Sequence, residues 1–428
     1  MWTHGPAGSF GAAVAARRAE GRLVVQPRMG FADPARMRAG LLATRQARAC
    51  TVGTITLDSY TRVGDDAAVA DALRRGHGLN GYPIVGHTVQ TTQFVLRDVV
   101  TPVFPVQVRH GSADPRAVVR ALLRAGLEAT EGGPVSYCLP YSRIPLSRAI
   151  DHWRECCETL ASARTPDREP HLETFGGCMM GQLCPPGLLV ALSVLEALFF
   201  TRHGLRDVSL SYAQQTNAEQ DREAVAALDR LARELLPDVR WHIVVYGYMG
   251  LYPQTRHGAR QLLIDSARLA VATGAARLIV KTEAEATRIP TIAENVEALE
   301  TAARAAAEHP PRSGLLPGPP PDTGLYAEAR ALVDAVLELS GDVGTALREA
   351  FARGYLDVPY CLHPDNAGRA RSHLHPDGRL RWRRIGNLPI RHVAEAPDNR
   401  PMTSTELLDA LSYVRRTYDA RADERLAS

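Results

Sequence analysis

Two charged residues and two tyrosines in the stretch 109–141 have the types and spacing to form a small-molecule site. Arg109 ends a short predicted strand and Glu131 ends the next one, with a helix between them. Parallel α/β folds bind their ligands at the carboxyl ends of the strands, so both side chains are expected at one face. Tyr137 and Tyr141 follow on the outgoing loop. The alternative is a structural ion pair with two tyrosines packed over it.

The elements that position these residues form a βαβ unit. Val106–Val108 is a short apolar strand, and Asp114-Pro115 begins an amphipathic helix that stops at Gly126. Proline just inside the start and glycine just past the end are typical of a helix. The second strand, Leu127–Glu131, follows at once and breaks at a pair of glycines.

The same rhythm of strand, turn and helix runs from residue 22 to about residue 307. The predicted strands are Leu23–Gln26, Val52–Leu57, Tyr82–Val85, Val106–Val108, Leu127–Glu131, Val208–Tyr212, His242–Tyr246 and Leu278–Val280. Eight βα units of this total length predict a (β/α)₈ barrel of the TIM type in the α/β class, with a C-terminal helical and irregular appendage. A doubly wound sheet is the alternative, but no GxGxxG follows the first strand.

Composition shifts divide the chain into four predicted regions. These are an N-terminal extension (1–21), the substrate-binding barrel (22–308), a Pro-rich linker (309–324) and a C-terminal cap or subunit-docking region (325–428). The barrel's fifth connection is long and contains a segment rich in Cys and Met, 174–187. Long loops at this face of a barrel usually serve function.

Charge and cysteine usage exclude several classes of protein. A net charge of +3 without a basic run argues against a nucleic-acid partner. The seven cysteines show no CxxC, which favours reduced thiols and a cytoplasmic location. No basic region precedes the small residues at the N-terminus, so no signal peptide is predicted. The apolar run 183–200 contains Glu196 and two prolines, which favours a buried helix over a membrane span.

Arginine follows three of the predicted strands, at Arg28, Arg62 and Arg109. Planar guanidinium groups match carboxylates, and no Gly-rich phosphate loop follows the last two strands, so a dicarboxylate is the favoured ligand. Glu131 among these cations would hold an ammonium group. Two carboxylates and one amine describe an acidic amino acid. The alternative is that each arginine pairs with a nearby aspartate, namely Asp58, Asp65 or Asp66.

Lys281 is the only lysine among 50 basic residues, which indicates a position that needs a compact ammonium. A Schiff-base role is one interpretation. Against it, Glu285 lies one helical turn further on and is expected to keep the ammonium charged. No HExxH, GxSxG or metal-ligand spacing occurs, so no metal site is predicted. The sequence thus offers many side chains that could bind a ligand but no evident catalytic residue. This combination is typical of an enzyme whose cofactor performs the chemistry.

Motifs along the predicted barrel resemble the large (epsilon) subunit of glutamate mutase, or methylaspartate mutase, a coenzyme B12-dependent family. They are QPRMG, DSYTR, NGYPIVGH, RHGSADPR, EGGPVSYCLPY, YMGLYPQT and LIVKTEAEA. The resemblance implies an isomerase that interconverts L-glutamate and threo-3-methyl-L-aspartate by a radical carbon-skeleton rearrangement. It also implies adenosylcobalamin, a cobalt cofactor shared with a separate small cobalamin-binding subunit. Two copies of this chain would form a homodimer within a cytoplasmic heterotetramer, with no membrane partner.

The resemblance also assigns residues. Catalytic roles fall to Glu131 and Arg109. The substrate-binding residues would be Arg28, Arg62, Arg109, His110, Glu131, Tyr137 and Tyr141. The cofactor-binding residues would be Gly30, Pro140, Tyr252, Lys281, Glu285 and Ile289. Gly86 departs from the family pattern, because an amide side chain is expected there.

Two functions of other classes stay open. A cofactor-free lyase or aldolase acting on an acidic amino acid would use Lys281 as a Schiff base, which borohydride would trap. An inert binding subunit would keep the barrel without turnover, and the complete set of three arginines argues against it. The chain has no DxHxxG motif, so a cobalamin partner would have to supply one.

Overall fold

The computed structural model describes residues 9–76, 78–179, 183–308, 322–396, 400 and 402–426, with side chains no further than residue 420. One sheet contains the parallel strands β1 (Val24–Gln26), β2 (Gly53–Thr56), β3 (Val106–Arg109), β4 (Ala129–Gly132), β5 (His171–Thr174), β6 (Asp207–Ala213), β7 (Arg240–Tyr246) and β8 (Arg277–Ile279). Their order is β1-β8-β7-β6-β5-β4-β3-β2, and a parallel bridge between Val25 and Thr51 joins the two ends. The sheet is closed, which confirms the predicted barrel.

Helices surround the barrel and continue beyond it. They are α1 (Phe10–Ala19), α2 (Pro34–Gln46), α3 (Ser59–Val63), α4 (Asp66–Arg75), α5 (Val89–Leu96), α6 (Arg116–Ala125), α7 (Leu146–Ser162), α8 (Pro186–Arg202), α9 (Ala218–Leu235), α10 (Arg256–Ala272), α11 (Ile292–Glu308), α12 (Leu325–Leu337), α13 (Val343–Arg353) and α14 (Ser404–Leu426). In α6, Val118, Val119 and Leu122 are buried on one face, and Gly126 ends the helix with a φ of +91°. The predicted βαβ unit, β3–α6–β4, is confirmed.

One predicted strand is wrong and one true strand was missed. Tyr82–Val85 makes only an isolated bridge, between Tyr82 and Leu57. Pro83 has no N–H to continue a ladder, which explains why the strand fails. The missed strand is β5, which lies inside the connection predicted to be one long loop. Three of the four residues in its sequence, HLET, are polar, and two of them, His171 and Glu173, bond to other polar groups inside the barrel.

Polar side chains fill part of the barrel interior and bond to one another. Nε2 of Gln26 donates to Oε1 of Gln107 at 2.8 Å, and Nη1 of Arg277 donates to Oε1 of Gln26 at 2.5 Å. Arg277 also pairs with Glu173 of β5. All four side chains are fully buried. Buried polar groups of this kind are stable only when they find partners, so they bind several strands together.

The apolar helix α8 is buried from Pro186 to Phe200, with α12 and α13 packed against it. This burial explains the long apolar run. Within the described ranges, no helix is long and apolar enough to cross a membrane.

The C-terminal region contains α12, α13, α14 and an antiparallel pair, β9 (Arg371–Leu374) and β10 (Leu380–Arg384). Gln220 of α9 exchanges two 2.9 Å hydrogen bonds with the backbone of Leu380. Asp419 of α14 accepts from the backbone N–H of Thr255 at 2.9 Å, just ahead of α10. These bonds, together with the packing of α12 and α13 on α8, attach the appendage to the barrel. Residues 1–8 of the predicted extension and 309–321 of the predicted linker lie outside the described residues.

Candidate active site

Arg109 and Glu131 form a buried ion pair at the carboxyl ends of β3 and β4. The strands pair in register at Val108 and Thr130, which brings the next residue of each strand side by side. Nη2 of Arg109 lies 2.7 Å from Oε2 of Glu131, and both side chains are almost wholly buried. The structure therefore brings the two residues together as predicted.

Two tyrosine hydroxyls donate to the Glu131 carboxylate. Tyr137 donates to Oε1 at 2.6 Å, and Tyr246, at the end of β7, donates to Oε2 at 2.8 Å. Burial raises the pKa of Glu131, and the Arg109 guanidinium and these hydroxyls oppose that rise. Both oxygens of Glu131 are already engaged, so an incoming ammonium would share or replace these partners.

A second buried carboxylate, Glu173 of β5, lies behind Arg109. Its Oε1 is 3.5 Å from Nη1 of Arg109, and its Oε2 pairs with Arg277. Oε1 is also within hydrogen-bond distance of the Tyr246 hydroxyl, whose single proton bonds to either Glu173 or Glu131. Burial alone would raise the pKa of Glu173, but the charges of Arg277 and Arg109 outweigh burial and lower it to about 2. Sequence reasoning missed Glu173 because it missed β5. The only available signal was a glutamate in a short extended run.

His110 presents an unused donor beside this pair. Its Nδ1 accepts a hydrogen bond from the Ser112 N–H at 3.1 Å. Burial, reinforced by the charges of Arg62 and Arg109, lowers its pKa to about 3, so the ring is neutral. A neutral ring that accepts at Nδ1 carries its proton on Nε2. That atom is buried without a hydrogen-bond partner in the described parts of the chain.

Arg62 has no carboxylate within ion-pair distance among the residues that the structure describes. Its Nε donates to the Leu57 carbonyl at 3.0 Å, which fixes the side chain over Gly111. Burial lowers its pKa, an effect that nearby Arg28 reinforces and Tyr137 opposes. The aspartates proposed as alternative partners cap helices instead: Asp58 caps α3 and Asp65 caps α4. Arg62 is therefore a cation available to a ligand.

Arg28 and Lys281 lie on either side of Glu285. Nη1 of Arg28 is 3.1 Å from Oε2 of Glu285, and Oε1 of the same carboxylate accepts the Thr282 N–H. The Lys281 ammonium lies 4.4 Å from the ring centroid of Tyr252. Burial lowers the pKa of Lys281 to about 8 although Glu285 opposes the shift. The Glu285 charge therefore favours the ammonium form, as the sequence led us to expect, but burial has the larger effect on the pKa of Lys281.

Aromatic rings form one wall around Glu131. The Tyr137 ring lies 5.0 Å from Phe175 and 5.2 Å from His110, centroid to centroid. Tyr141 is 5.9 Å from Tyr137 and half exposed, so it stands at the rim. Gly132 starts this loop with a φ of +130°, and a Cβ there would lie 2.4 Å from the Trp153 ring. Sequence reasoning named both tyrosines and missed Phe175.

The residues predicted to meet a cofactor fall into separate groups. Gly30 and Ile289 line a cavity of about 580 Å³ together with His87. Tyr252 and Glu285 lie near Lys281, and Tyr252 and Lys281 are buried whereas Glu285 is partly exposed. Pro140 is on the rim loop between Tyr137 and Tyr141. In the described ranges no three His, Cys, Asp or Glu residues could hold a metal ion.

A closed (β/α)₈ barrel with a cluster of charged and aromatic side chains at the carboxyl ends of its strands is the arrangement in which barrel enzymes place their active sites. A family model described as the methylaspartate mutase E chain (MutE) matches residues 6–405. The chain therefore belongs to the methylaspartate mutase E chain family, and it is a mutase subunit.

Curated relatives agree with this assignment. The glutamate mutase epsilon subunit of Halobacterium salinarum is 33% identical over 348 residues, 78% of this chain and 71% of that protein. The epsilon subunit of Escherichia coli O157:H7 is 30% identical over 386 residues, 87% of this chain and 79% of that protein. A solved structure of a putative phosphonomutase from Burkholderia cenocepacia J2315 is 13% identical, with a TM-score of 0.35 and coverage of 69% of this chain and 98% of that one, too weak a similarity for any conclusion.

Proposed function

We propose that this chain is the substrate-binding subunit of an adenosylcobalamin-dependent mutase that interconverts L-glutamate and threo-3-methyl-L-aspartate. The observation that carries the proposal is Arg62, a cation without a carboxylate partner in the described structure, beside the Arg109–Glu131 ion pair. A ligand that brings a carboxylate to Arg62 completes the charge balance of the pocket. Glutamate carries two carboxylates and one ammonium, which suits a pocket of three arginines and a buried glutamate.

In this proposal the pocket holds its substrate by exchanging ion pairs. Arg62 and Arg28 bind carboxylate oxygens, and Arg109 binds a carboxylate while Glu173 and Tyr246 keep its guanidinium in place. Glu131 turns to the substrate ammonium. The Nε2–H of His110 then donates to a carboxylate oxygen. These contacts fix the carbon skeleton and exclude water from it.

The residues proposed for the cofactor fit a large ligand with many polar groups. Within the described structure, Nζ of Lys281 makes no hydrogen bond, so its donors remain for a ligand. Gly30 has no room for a side chain, because a Cβ would lie 2.1 Å from the Thr56 carbonyl oxygen. Adenosylcobalamin supplies radical chemistry when bound. Lys281 and Glu285 would orient it, and Gly30, Pro140, Tyr252 and Ile289 would pack against it.

A small cobalamin-binding subunit is the proposed partner at the barrel mouth. Large apolar side chains are exposed on the segments that follow β2, β4, β7 and β8, namely Tyr60 and Val63 of α3 and Tyr141, Leu251 and Ile289 on loops. They share the face that holds the pocket, as expected of a surface that a partner covers. We propose residues 22–308 as the barrel, 325–428 as the cap, and two copies of the chain in a heterotetramer. All seven cysteines are free thiols, which supports a reducing compartment such as the cytoplasm.

Reconstitution tests the proposal. The purified chain should be colourless and inactive with coenzyme alone. It should convert L-glutamate to 3-methylaspartate once a small subunit with a DxHxxG motif is added. Robust turnover by the chain without that partner, or none with it, would contradict the proposal. Lys281→Arg should reduce the paramagnetic intermediate more than glutamate binding, because a guanidinium is too large for the packed site.

The low pKa of Lys281, about 8, favours one second candidate, a Schiff-base lyase or aldolase acting on an acidic amino acid. Borohydride reduction in the presence of an oxo acid would join substrate to Lys281 and add its mass to one peptide. Because the chain has a single lysine, that adduct would be unambiguous.

A further inference from the structure

Glu196 is the only acidic residue of the apolar helix α8, and it is completely buried. Its carboxylate accepts backbone hydrogen bonds from Val135, Ser136, Phe175 and Gly176 at 3.3, 2.9, 3.2 and 2.8 Å, and the Ser136 hydroxyl at 3.0 Å. No cation pairs with it among the described residues. Backbone N–H dipoles and the Ser136 hydroxyl therefore stabilise this carboxylate.

The donors belong to two different loops that reach the candidate site. Ser136 precedes Tyr137, whose hydroxyl donates to Glu131, on the loop after β4. Phe175 follows β5, two residues after Glu173, and its ring packs against Tyr137 and against Tyr246 at 5.6 Å. One carboxylate thus holds the backbone of both loops that build the aromatic wall.

The chain around Glu196 is shaped to receive a carboxylate. A Cβ at Gly133 would lie 2.0 Å from its Oε1, and a Cβ at Gly176 would lie 2.6 Å from the backbone of Leu192. Only glycine permits this approach at both positions. An amide in place of the carboxylate would direct N–H donors at backbone N–H donors, so only the carboxylate satisfies all five bonds.

We propose that Glu196 is a positioning residue: it fixes the loops after β4 and β5 and thereby sets Tyr137 and Phe175 against Glu131. It touches no ligand itself. The inference rests on the proposed function only for the identity of the ligand. The contacts between Glu196 and the two loops lie within this chain and do not depend on it.

Amide hydrogen exchange on the full chain tests the loop contacts directly. Glu196→Gln should speed exchange of the amides at 135–136 and 175–176 by about 10- to 100-fold, because each of these amides loses a hydrogen bond to a charged group. Asp221→Asn is the matched control. Asp221 of α9 is also buried, and its carboxylate accepts from the Gln215 N–H at 3.0 Å and from the Tyr212 hydroxyl at 2.8 Å. These contacts hold the loop after β6 and not the loops after β4 and β5. In the control, faster exchange should be confined to the region of residue 215.

Kinetics in the reconstituted complex tests the consequence for the pocket. Glu196→Gln should raise KM for L-glutamate about tenfold or more with a smaller change in kcat, and Asp221→Asn should leave both near wild type. Equal increases in both variants, or faster loop exchange with an unchanged KM, would overturn the inference. If wild type shows no turnover with glutamate, the proposed function fails. Amide exchange then decides the inference on its own: at 135–136 and 175–176 it must be faster in Glu196→Gln and unchanged in Asp221→Asn.

Ser136→Ala covers the case in which Glu196→Gln does not fold. It removes one of the five donors and should speed exchange at 135–136 by about 2- to 10-fold. An unchanged exchange rate there would overturn the inference.

Discussion

Nη2 of Arg109 lies 2.7 Å from Oε2 of Glu131, so the two charges neutralise each other. Neither side chain is free to pair with a ligand while this contact lasts. A zwitterionic ligand enters only by separating this pair or by sharing it. Glu173 and Tyr246 hold Arg109 from the other side, which allows Glu131 to turn away without leaving the guanidinium unpaired. The ion pair is a structural contact, and in the proposed function it is also the contact that a ligand opens.

Arg62→Met separates binding from stability most clearly. Because Arg62 has no carboxylate partner in the described structure, its loss should lower kcat/KM for L-glutamate by about 10- to 100-fold while the melting temperature changes little. Arg62→Lys should restore only part of the activity, since lysine lacks the planar fork. The control is Arg124→Met on the exposed face of α6, which should behave as wild type. A lower melting temperature with kcat/KM within about twofold of wild type would show a structural role instead.

Arg109→Met should damage both activity and stability. It leaves Glu131 and Glu173 buried without this cation, and breaking a buried pair costs about 3–5 kcal/mol. Burial already raises the pKa of Glu131, and the loss of Arg109 raises it further. The folded state then binds more protons than the unfolded state, so the variant regains stability as the pH falls. Urea unfolding at pH 8 and pH 5 measures this, and an equal deficit at both pH values would contradict it.

Tyr246→Phe should lower the free energy of unfolding by about 1.5–3 kcal/mol, because its hydroxyl donates to buried carboxylates. Those acceptors are Glu131, at 2.8 Å, and Glu173. Tyr248 is the matched control: it is equally buried, and its hydroxyl has no hydrogen-bond partner in the described ranges. Tyr248→Phe should therefore cost nothing. Similar losses in the two variants would show that the Tyr246 hydroxyl does not stabilise the network.

Because it is buried, Lys281 should titrate with a midpoint near a pKa of about 8, below its ordinary value of 10.5. NMR of protein labelled at lysine gives a single side-chain signal, which belongs to Lys281, because the chain has one lysine. Between these two values the folded state binds fewer protons than the unfolded state, so stability should rise with pH across that window. Glu285→Gln should move the midpoint lower, because the carboxylate raises the Lys281 pKa. A midpoint above 10 would contradict the burial of this ammonium.

The barrel was predictable because βα repeats leave a clear pattern of apolar strands and capped helices. β5 was not predictable by that pattern, since the side chains of His171 and Glu173 bond to other polar groups inside the barrel. Tyr82–Val85 has the apolar composition of a strand, but Pro83 cannot donate to a neighbour. Strands are recognised in a sequence by runs of apolar residues, which are expected where the surroundings are apolar. Part of this barrel's interior is polar, so a strand that faces it lacks that pattern.

The site residues divide in the same way. Residues placed by strand ends, such as Arg109 and Glu131, were predictable because the register of β3 and β4 fixes their neighbours. Residues that reach the site from strands distant in sequence, such as Tyr246 and Arg277, were not predictable as partners. No local sequence signal shows which side chains meet across a barrel, so the role of Glu173 appears only in three dimensions.

The closure of the barrel has a mechanical consequence. β6 and β7 pair along seven residues, whereas β1 and β2 meet at the Val25–Thr51 bridge and at a 2.9 Å bond from Thr56 N to the Met29 carbonyl. A ring under load parts at its weakest joint, and this joint lies next to Gly30, which packs on Thr56 beside the cavity at the barrel mouth. Force applied by a molecule docked at that mouth would therefore be felt first between β1 and β2.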